Sequence, residues 1–150
     1  MTHIVDIQNV CDSKELPSAE LFQQWVDAAL TAVTKQKFEL TLRLVNCDES
    51  QQLNKKYRQK DKATNVLSFP FEVPKGIDLN LLGDLVICTQ VVEQEAKAQN
   101  KAIFDHWAHM VIHGCLHLLG YDHINDNDAF EMEALEVEIL AQLTIANPYK

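Results

Sequence analysis

Leu21, Phe22, Trp25, Val26, Ala29, Leu30 and Val33 recur at helical spacing and form one broad apolar stripe. Ser18 stands before them as an N-cap and Glu20 falls in the first turn, so a helix is predicted from about residue 18. Residues 4–10 read as a strand. Phe38, Leu40, Leu42 and Leu44 alternate with Glu39, Thr41 and Arg43, the period of a strand buried on one face. Asp48, with Gln51 three positions on, has the form of a capping box and opens a helix reaching about Arg58. A polar loop is expected at 59–65. Val66-Leu67-Ser68-Phe69 is a short strand stopped by Pro70 and Pro74, which suggest a sheet edge because proline cannot donate to a ladder. After a loop at 74–80, Leu82 to Cys88 forms a fourth strand, interrupted only by Gly83 and Asp84. Thr89 can cap a helix of about 90–100. A further helix starts near Ile103, and a last one spans about 126–143, capped by Asp126 or a neighbour.

The order is βα-βα-ββ-ααα. It predicts an α+β fold in a single domain over residues 1–150: one four-stranded mixed sheet with about five to six helices against it. With 150 residues and 47% apolar content the chain can bury a proper core. No run of about 18 apolar residues is present, which excludes a membrane-spanning helix. Met1 to Asp6 has neither a basic segment nor an apolar run of the secretory type, and Cys11, Cys47, Cys88 and Cys115 form no C-x-x-C pair. The expectation is a cytoplasmic protein with reduced thiols.

The chemistry concentrates in His113-Gly114-Cys115-Leu116-His117-Leu118-Leu119-Gly120-Tyr121-Asp122-His123. A spacing of four puts His113 and His117 on one helical face, one turn apart. Gly120 can end the helix in a left-handed conformation, and the returning chain can bring His123 to the same point. Three imidazoles with one open position are the donor set of a catalytic rather than a structural zinc site. Cys115, about 200° around the helix from His113, is expected in the core. His109 is expected in the core or as an outer partner of the site, and His106 at the surface or in packing.

The spacing is similar to the metzincin signature, H-E-x-x-H-x-x-G-x-x-H, with Gly114 where those peptidases carry their glutamate base. The metal cage is kept and the peptidase base is absent, so the predicted substrate is not a peptide. Asp84 is expected to bond the following loop or orient a ligand, because an unpaired carboxylate buried in an apolar strand is expensive. Asp122 is expected to accept from a histidine ring.

Charge adds one more element. The net charge of −9 speaks against a polyanion partner, but Lys55, Lys56, Arg58, Lys60 and Lys62 place five of the thirteen basic residues within eight positions. Acidic residues crowd the other end of the chain, from Asp126 to Glu138. A local anion site on an acidic body, or a solvated helix end complementing its dipole, both fit.

Three segments together resemble the YbeY family, bacterial rRNA maturation factors and single-strand-specific endoribonucleases. They are Tyr57-Arg58-x-x-Asp61-Lys62-x-Thr64-Asn65-Val66-Leu67-Ser68-Phe69, Gly83-Asp84-Leu85-Val86-Ile87, and the histidine run, covering about residues 57–123. The resemblance implies a zincin-like centre in which His113, His117 and His123 hold one divalent metal, zinc foremost, although three imidazoles also suit nickel and copper. It implies a functional arginine at Arg58, and RNA contacts are then expected from Lys56, Lys60 and Lys62. It further implies action on the 3′ end of small-subunit rRNA and in ribosome quality control. Its implied partners are rRNA, the small ribosomal subunit and the Era GTPase, with no membrane. A metal-containing ribosome-biogenesis binding factor, or a metal hydrolase of another substrate, are the alternatives. The metal helix is expected below the sheet, with strand 66–71 lining the cleft.

Overall fold

A computed structural model describes residues 2–74, 76 and 80–150. Four strands, β1 (Ile4–Asn9), β2 (Glu39–Val45), β3 (Val66–Pro70) and β4 (Leu81–Cys88), form one sheet in the order β1-β2-β4-β3. β1–β2 and β2–β4 pair in parallel, while β3 runs antiparallel to β4. The sheet is therefore mixed, and β3 lies at an edge as its prolines suggest. Five helices lie among the described residues: α1 (Ala19–Val33), α2 (Cys47–Arg58), α3 (Thr89–Ala98), α4 (Ile103–Leu118) and α5 (Asp126–Gln142). Part of the loop expected at 74–80 lies outside the described residues. None of the helices is long and apolar enough to cross a membrane.

One face of the sheet carries the main core. Leu40, Leu42 and Leu44 of β2 and Leu85 and Ile87 of β4 pack with Phe22, Trp25 and Leu30 of α1 and with Trp107, Val111, Ile112 and Leu116 of α4. Phe22 and Trp107 meet edge to face at 5.6 Å between centroids, so α1 and α4 are joined in their N-terminal halves by aromatic contact. On the other face, Val45, Leu67, Val86 and Cys88 pack with Leu53 of α2. Here the sheet is covered only toward one end.

Helix starts differ from expectation in two places. Ser18 caps α1 as predicted, its hydroxyl accepting from Leu21 N–H at 3.2 Å. The capping box of Asp48 and Gln51 does not form: Asn46 is the N-cap of α2 and makes no side-chain cap bond. Its Oδ1 instead accepts from Asp12 N–H and Gln90 Nε2, joining three segments, and Gln51 Nε2 donates to Asp61. Thr89 is the first residue of α3 rather than its cap, because its hydroxyl is held by Ser13 at 2.7 Å. Both corrections have one cause, since a polar side chain near a helix start follows whichever partner the tertiary structure supplies.

A β-bulge sets the approach of β3 to the site. The β2–β4 register shifts between Glu39 and Leu40, and Gly83 adopts φ +149°. A Cβ there would lie 2.4 Å from the Phe69 carbonyl oxygen and 2.9 Å from Leu118 Cδ2. Only glycine allows the strand edge and the end of α4 to come this close.

Candidate metal centre

α4 runs beneath β3 and β4, and its last two turns deliver His113 and His117, both half-buried. The helix then closes in a Schellman arrangement: Gly120 N–H donates to the His117 carbonyl and Tyr121 N–H to that of Leu116, each at 3.0 Å. Gly120 takes φ +102°, which a side chain would resist. The turn returns the chain, and the Asp122 carboxylate accepts from the His123 backbone N–H at 2.8 Å. Asp122 thus fixes the backbone that carries His123, and does not hold an imidazole N–H as expected.

The three rings converge. Centroids lie 4.6 Å apart for His113 and His117, 5.2 Å for His117 and His123, and 5.7 Å for His113 and His123. One nitrogen from each lies within 4.8 Å of the others. His113 Nε2 and His117 Nε2 are 3.1 Å apart. Two nitrogens at ordinary zinc bond lengths on a tetrahedron are separated by about 3.3 Å, so the pair is spaced to share one ion. Burial first, then the neighbouring His113 and His123, lower the pKa of His117. This favours the neutral ring that a metal ligand requires.

The outer contacts include a residue that sequence reasoning missed. Glu136 of α5 is 0% exposed, and its Oε1 lies 3.0 Å from His113 Nδ1. Its Oε2 meets His109 Nε2, and Tyr149 O–H donates to the same oxygen at 2.8 Å. Glu136 sits within an acidic run, where a carboxylate reads as solvated. The one signal in the chain is its placement between Met132, Ile139 and Leu140 on the buried stripe of α5. His109 is buried and touches the site through Glu136. His106 is not at the surface: it is 3% exposed and bonds Glu95 at 2.9 Å. Cys115 lies in the core, where burial pushes its thiol up to about 12.

Burial alone would raise the pKa of Glu136, but hydrogen bonds from His109 and His113 outweigh it and hold the carboxyl at about 2. The folded value lies below the ordinary 4.5, so the stabilisation is complete above pH 4.5 and is lost as pH falls toward 2. The contribution is about 3 kcal/mol. Denaturant unfolding followed across this range should give a flatter acid limb for Glu136→Gln than for wild type; identical slopes would refute the assignment.

Across from the histidines, the cleft of about 860 Å³ is lined by Arg58, Lys60, Lys62, Asn65, Ser68 and Pro70. Arg58 Nη2 donates to the Ser68 carbonyl at 2.8 Å, and its guanidinium lies 5.3 Å from the centroid of the Phe69 ring. The arginine is thereby aimed along β3 while remaining exposed. Lys56 is not among the lining residues; its ammonium lies over the Tyr57 ring at 5.1 Å. Asp84 is neither buried nor in the cleft. It is exposed on the opposite face of the sheet, in a groove with Thr41, Arg43 and Phe69 that α2 leaves uncovered. The burial cost expected for it therefore does not arise.

Gly114 explains why the peptidase base has no place here. A Cβ at this position would meet Leu85 Cδ2 at 2.8 Å and Val66 Cγ2 at 3.3 Å. Residue 114 points into the sheet rather than toward the cleft, and Leu85 is fully buried. Gly114→Glu should lower the thermal midpoint strongly, since it adds overpacking of about 1–3 kcal/mol to the cost of burying a carboxylate. It should not create peptidase activity. A stable variant that cleaves peptides would contradict both the packing and the substrate argument.

A mixed α/β layer with two helix-borne histidines, a glycine turn and a third histidine defines a zincin-like protein whose three-histidine group could hold a metal ion and which lacks the peptidase base. The chain belongs to the YbeY family: the family model described as endoribonuclease YbeY matches residues 4–144. A protein of Colwellia psychrerythraea named endoribonuclease YbeY is 64% identical over 152 aligned positions, covering 99% of this chain and 98% of that protein. The solution structure of TM1509 from Thermotoga maritima shares the fold with a TM-score of 0.63 at 26% identity, over 93% of this chain and 89% of the other.

Proposed function

We propose that the protein is a metal-dependent, single-strand-specific endoribonuclease that acts in maturation of the small-subunit rRNA 3′ end and in ribosome quality control. The observation that carries this reading is the placing of Arg58 and the three histidines on the walls of one open cleft. His113, His117 and His123 would hold one divalent ion, with zinc favoured by the all-imidazole set. When bound, such an ion supplies Lewis acidity toward a phosphoryl oxygen and lowers the pKa of water. Arg58 binds a phosphate of the substrate through the N–H groups not engaged with the Ser68 and Tyr57 carbonyls, adding charge stabilisation at the non-bridging phosphoryl oxygens. Lys60 and Lys62 follow the neighbouring phosphates without reading sequence. The cleft is open along one side, which suits a single strand that can be drawn over it.

The small ribosomal subunit supplies the substrate in this proposal, and the Era GTPase is a further proposed partner at that site of action. The test is cleavage of a single-stranded rRNA fragment, and of the same sequence in a duplex, by metal-stripped and zinc-reloaded protein. Cleavage restored by reloading and confined to the single strand is expected. A metal-loaded protein that binds the fragment without cutting it would overturn the proposal in favour of a binding factor. The product ends identify the nucleophile: a 2′,3′-cyclic phosphate marks attack by the 2′-hydroxyl, whereas a 5′-phosphate with a 3′-hydroxyl marks attack by water.

A further inference from the structure

We infer that Glu136, held in place by His109 and Tyr149, is the positioning residue that presents the Nε2 lone pair of His113 to the metal. This rests on the reading of His113, His117 and His123 as the metal ligands. The juxtaposition behind it links α4, α5 and the segment that follows α5. A carboxylate accepts hydrogen bonds and donates none. With Oε1 at 3.0 Å from His113 Nδ1, the ring proton must lie on Nδ1. The lone pair is then on Nε2, the nitrogen 3.1 Å from His117 Nε2. Histidine free in water prefers the opposite tautomer, with its proton on Nε2, so Glu136 reverses the default and exposes the ligating atom.

The other carboxylate oxygen is also spoken for. His109 Nε2 and Tyr149 O–H both reach Oε2, and Tyr149 meets the His109 ring edge-on at 5.5 Å. The segment carrying Tyr149 is tied down by Lys101, whose ammonium donates to the Pro148 carbonyl at 3.0 Å. Tyr149 is 47% exposed overall, yet its hydroxyl ends on a carboxylate that is fully buried. That hydroxyl therefore stops Glu136 from rotating away from His113.

Charge argues the same way. A fully buried carboxylate costs several kcal/mol in desolvation unless a charge or a full set of donors compensates it. Among the described residues no lysine or arginine pairs with Glu136; its ionic contacts are the two histidines alone. A cation on the far side of the His113 ring gives the buried anion its partner, since a carboxylate raises the basicity of the imidazole it accepts from.

The experiment has two arms. In the first, apo protein is titrated with Zn²⁺ against a fluorescent chelator. Glu136→Gln should bind about 10–100-fold more weakly than wild type. An amide cannot accept from His113 on one side without turning its NH₂ toward His109 and Tyr149 on the other. Glu136→Asp should recover part of the affinity, and Tyr149→Phe should lose up to about tenfold while folding normally, since it removes only a hydroxyl from a half-exposed ring. If Glu136→Gln does not fold, the Tyr149→Phe result stands in its place. In the second arm, ¹⁵N-edited NMR of the imidazoles in metal-free wild type should show His113 protonated on Nδ1. Wild-type affinity in the folded variants, or a His113 ring protonated on Nε2, would overturn the inference while leaving the metal centre intact. Zinc bound no more tightly by wild type than by His117→Ala would remove the metal centre itself, and this inference with it.

Discussion

Purified His117→Ala protein should carry almost no divalent metal, where wild type should carry one ion per chain. His117 supplies the central nitrogen of the cluster, with its ring 4.6 Å from His113 and 5.2 Å from His123. Removing it leaves two imidazoles, one of them on an exposed turn, and two ligands cannot fix the geometry that a zinc centre requires. The loss should exceed the roughly 10–100-fold that follows removal of an outer hydrogen bond. The fold should persist, because the ring lies at the cleft wall and its deletion leaves an open space rather than a sealed cavity. His106→Ala is the matched control. That ring lies on the same helix but bonds Glu95. Its loss should cost stability, through packing and the freed carboxylate, and leave metal content nearly unchanged. Elemental analysis of both variants after identical purification decides the matter. Full metal occupancy in His117→Ala, or metal lost equally from His106→Ala, would refute the three-histidine assignment.

Arg58→Glu should abolish RNA cleavage while leaving fold and metal content as in wild type. The guanidinium is exposed, so replacing it disturbs no core contact; its engagements with Ser68 and Phe69 aim it and contribute little stability. Loss of one charge-stabilising donor at a reacting centre costs about 10²–10³ in rate, and a carboxylate in its place adds repulsion of the substrate phosphate. Arg58→Lys should recover only part of the activity, because an ammonium keeps the charge and loses the two-pronged geometry. Lys60→Ala and Lys62→Ala should weaken binding and reduce its salt dependence, whereas Lys56→Ala should do little, since Lys56 lies over Tyr57 outside the cleft. Cleavage of one single-stranded rRNA fragment by these variants at equal metal loading separates the effects. Wild-type turnover by Arg58→Glu would eliminate the arginine from the reaction.

Everything that depended on periodicity within one element was legible in the chain. The stripe from Leu21 to Val33 became the buried face of α1, the alternation from Phe38 to Leu44 became β2, and Pro70 marked an edge strand. The histidine pair was legible for the same reason: a helix repeats every 3.6 residues whatever surrounds it, so a spacing of four already places two imidazoles together. Gly120 was equally local, because its left-handed turn needs only the absence of a Cβ.

What the tertiary structure alone decided are the contacts between elements. Strand alternation assigns Asp84 to one face of β4, but it cannot say that α2 leaves that part of the face open to water. A helical pattern puts Glu136 on the inner stripe of α5, but only the packing of α5 on α4 brings it to His109 and His113, 27 and 23 residues earlier. Asn46, not Asp48, stands at the N-cap of α2, and its side chain makes no cap bond because Asp12 and Gln90, far along the chain, converge on it. Arg58 and Lys56 are neighbours on one helix, yet one reaches the cleft and the other does not. Local periods arise from backbone geometry, which each residue carries with it. The meeting of a carboxylate, an arginine and three imidazoles arises from how whole elements bury their apolar faces, and no single segment contains that information.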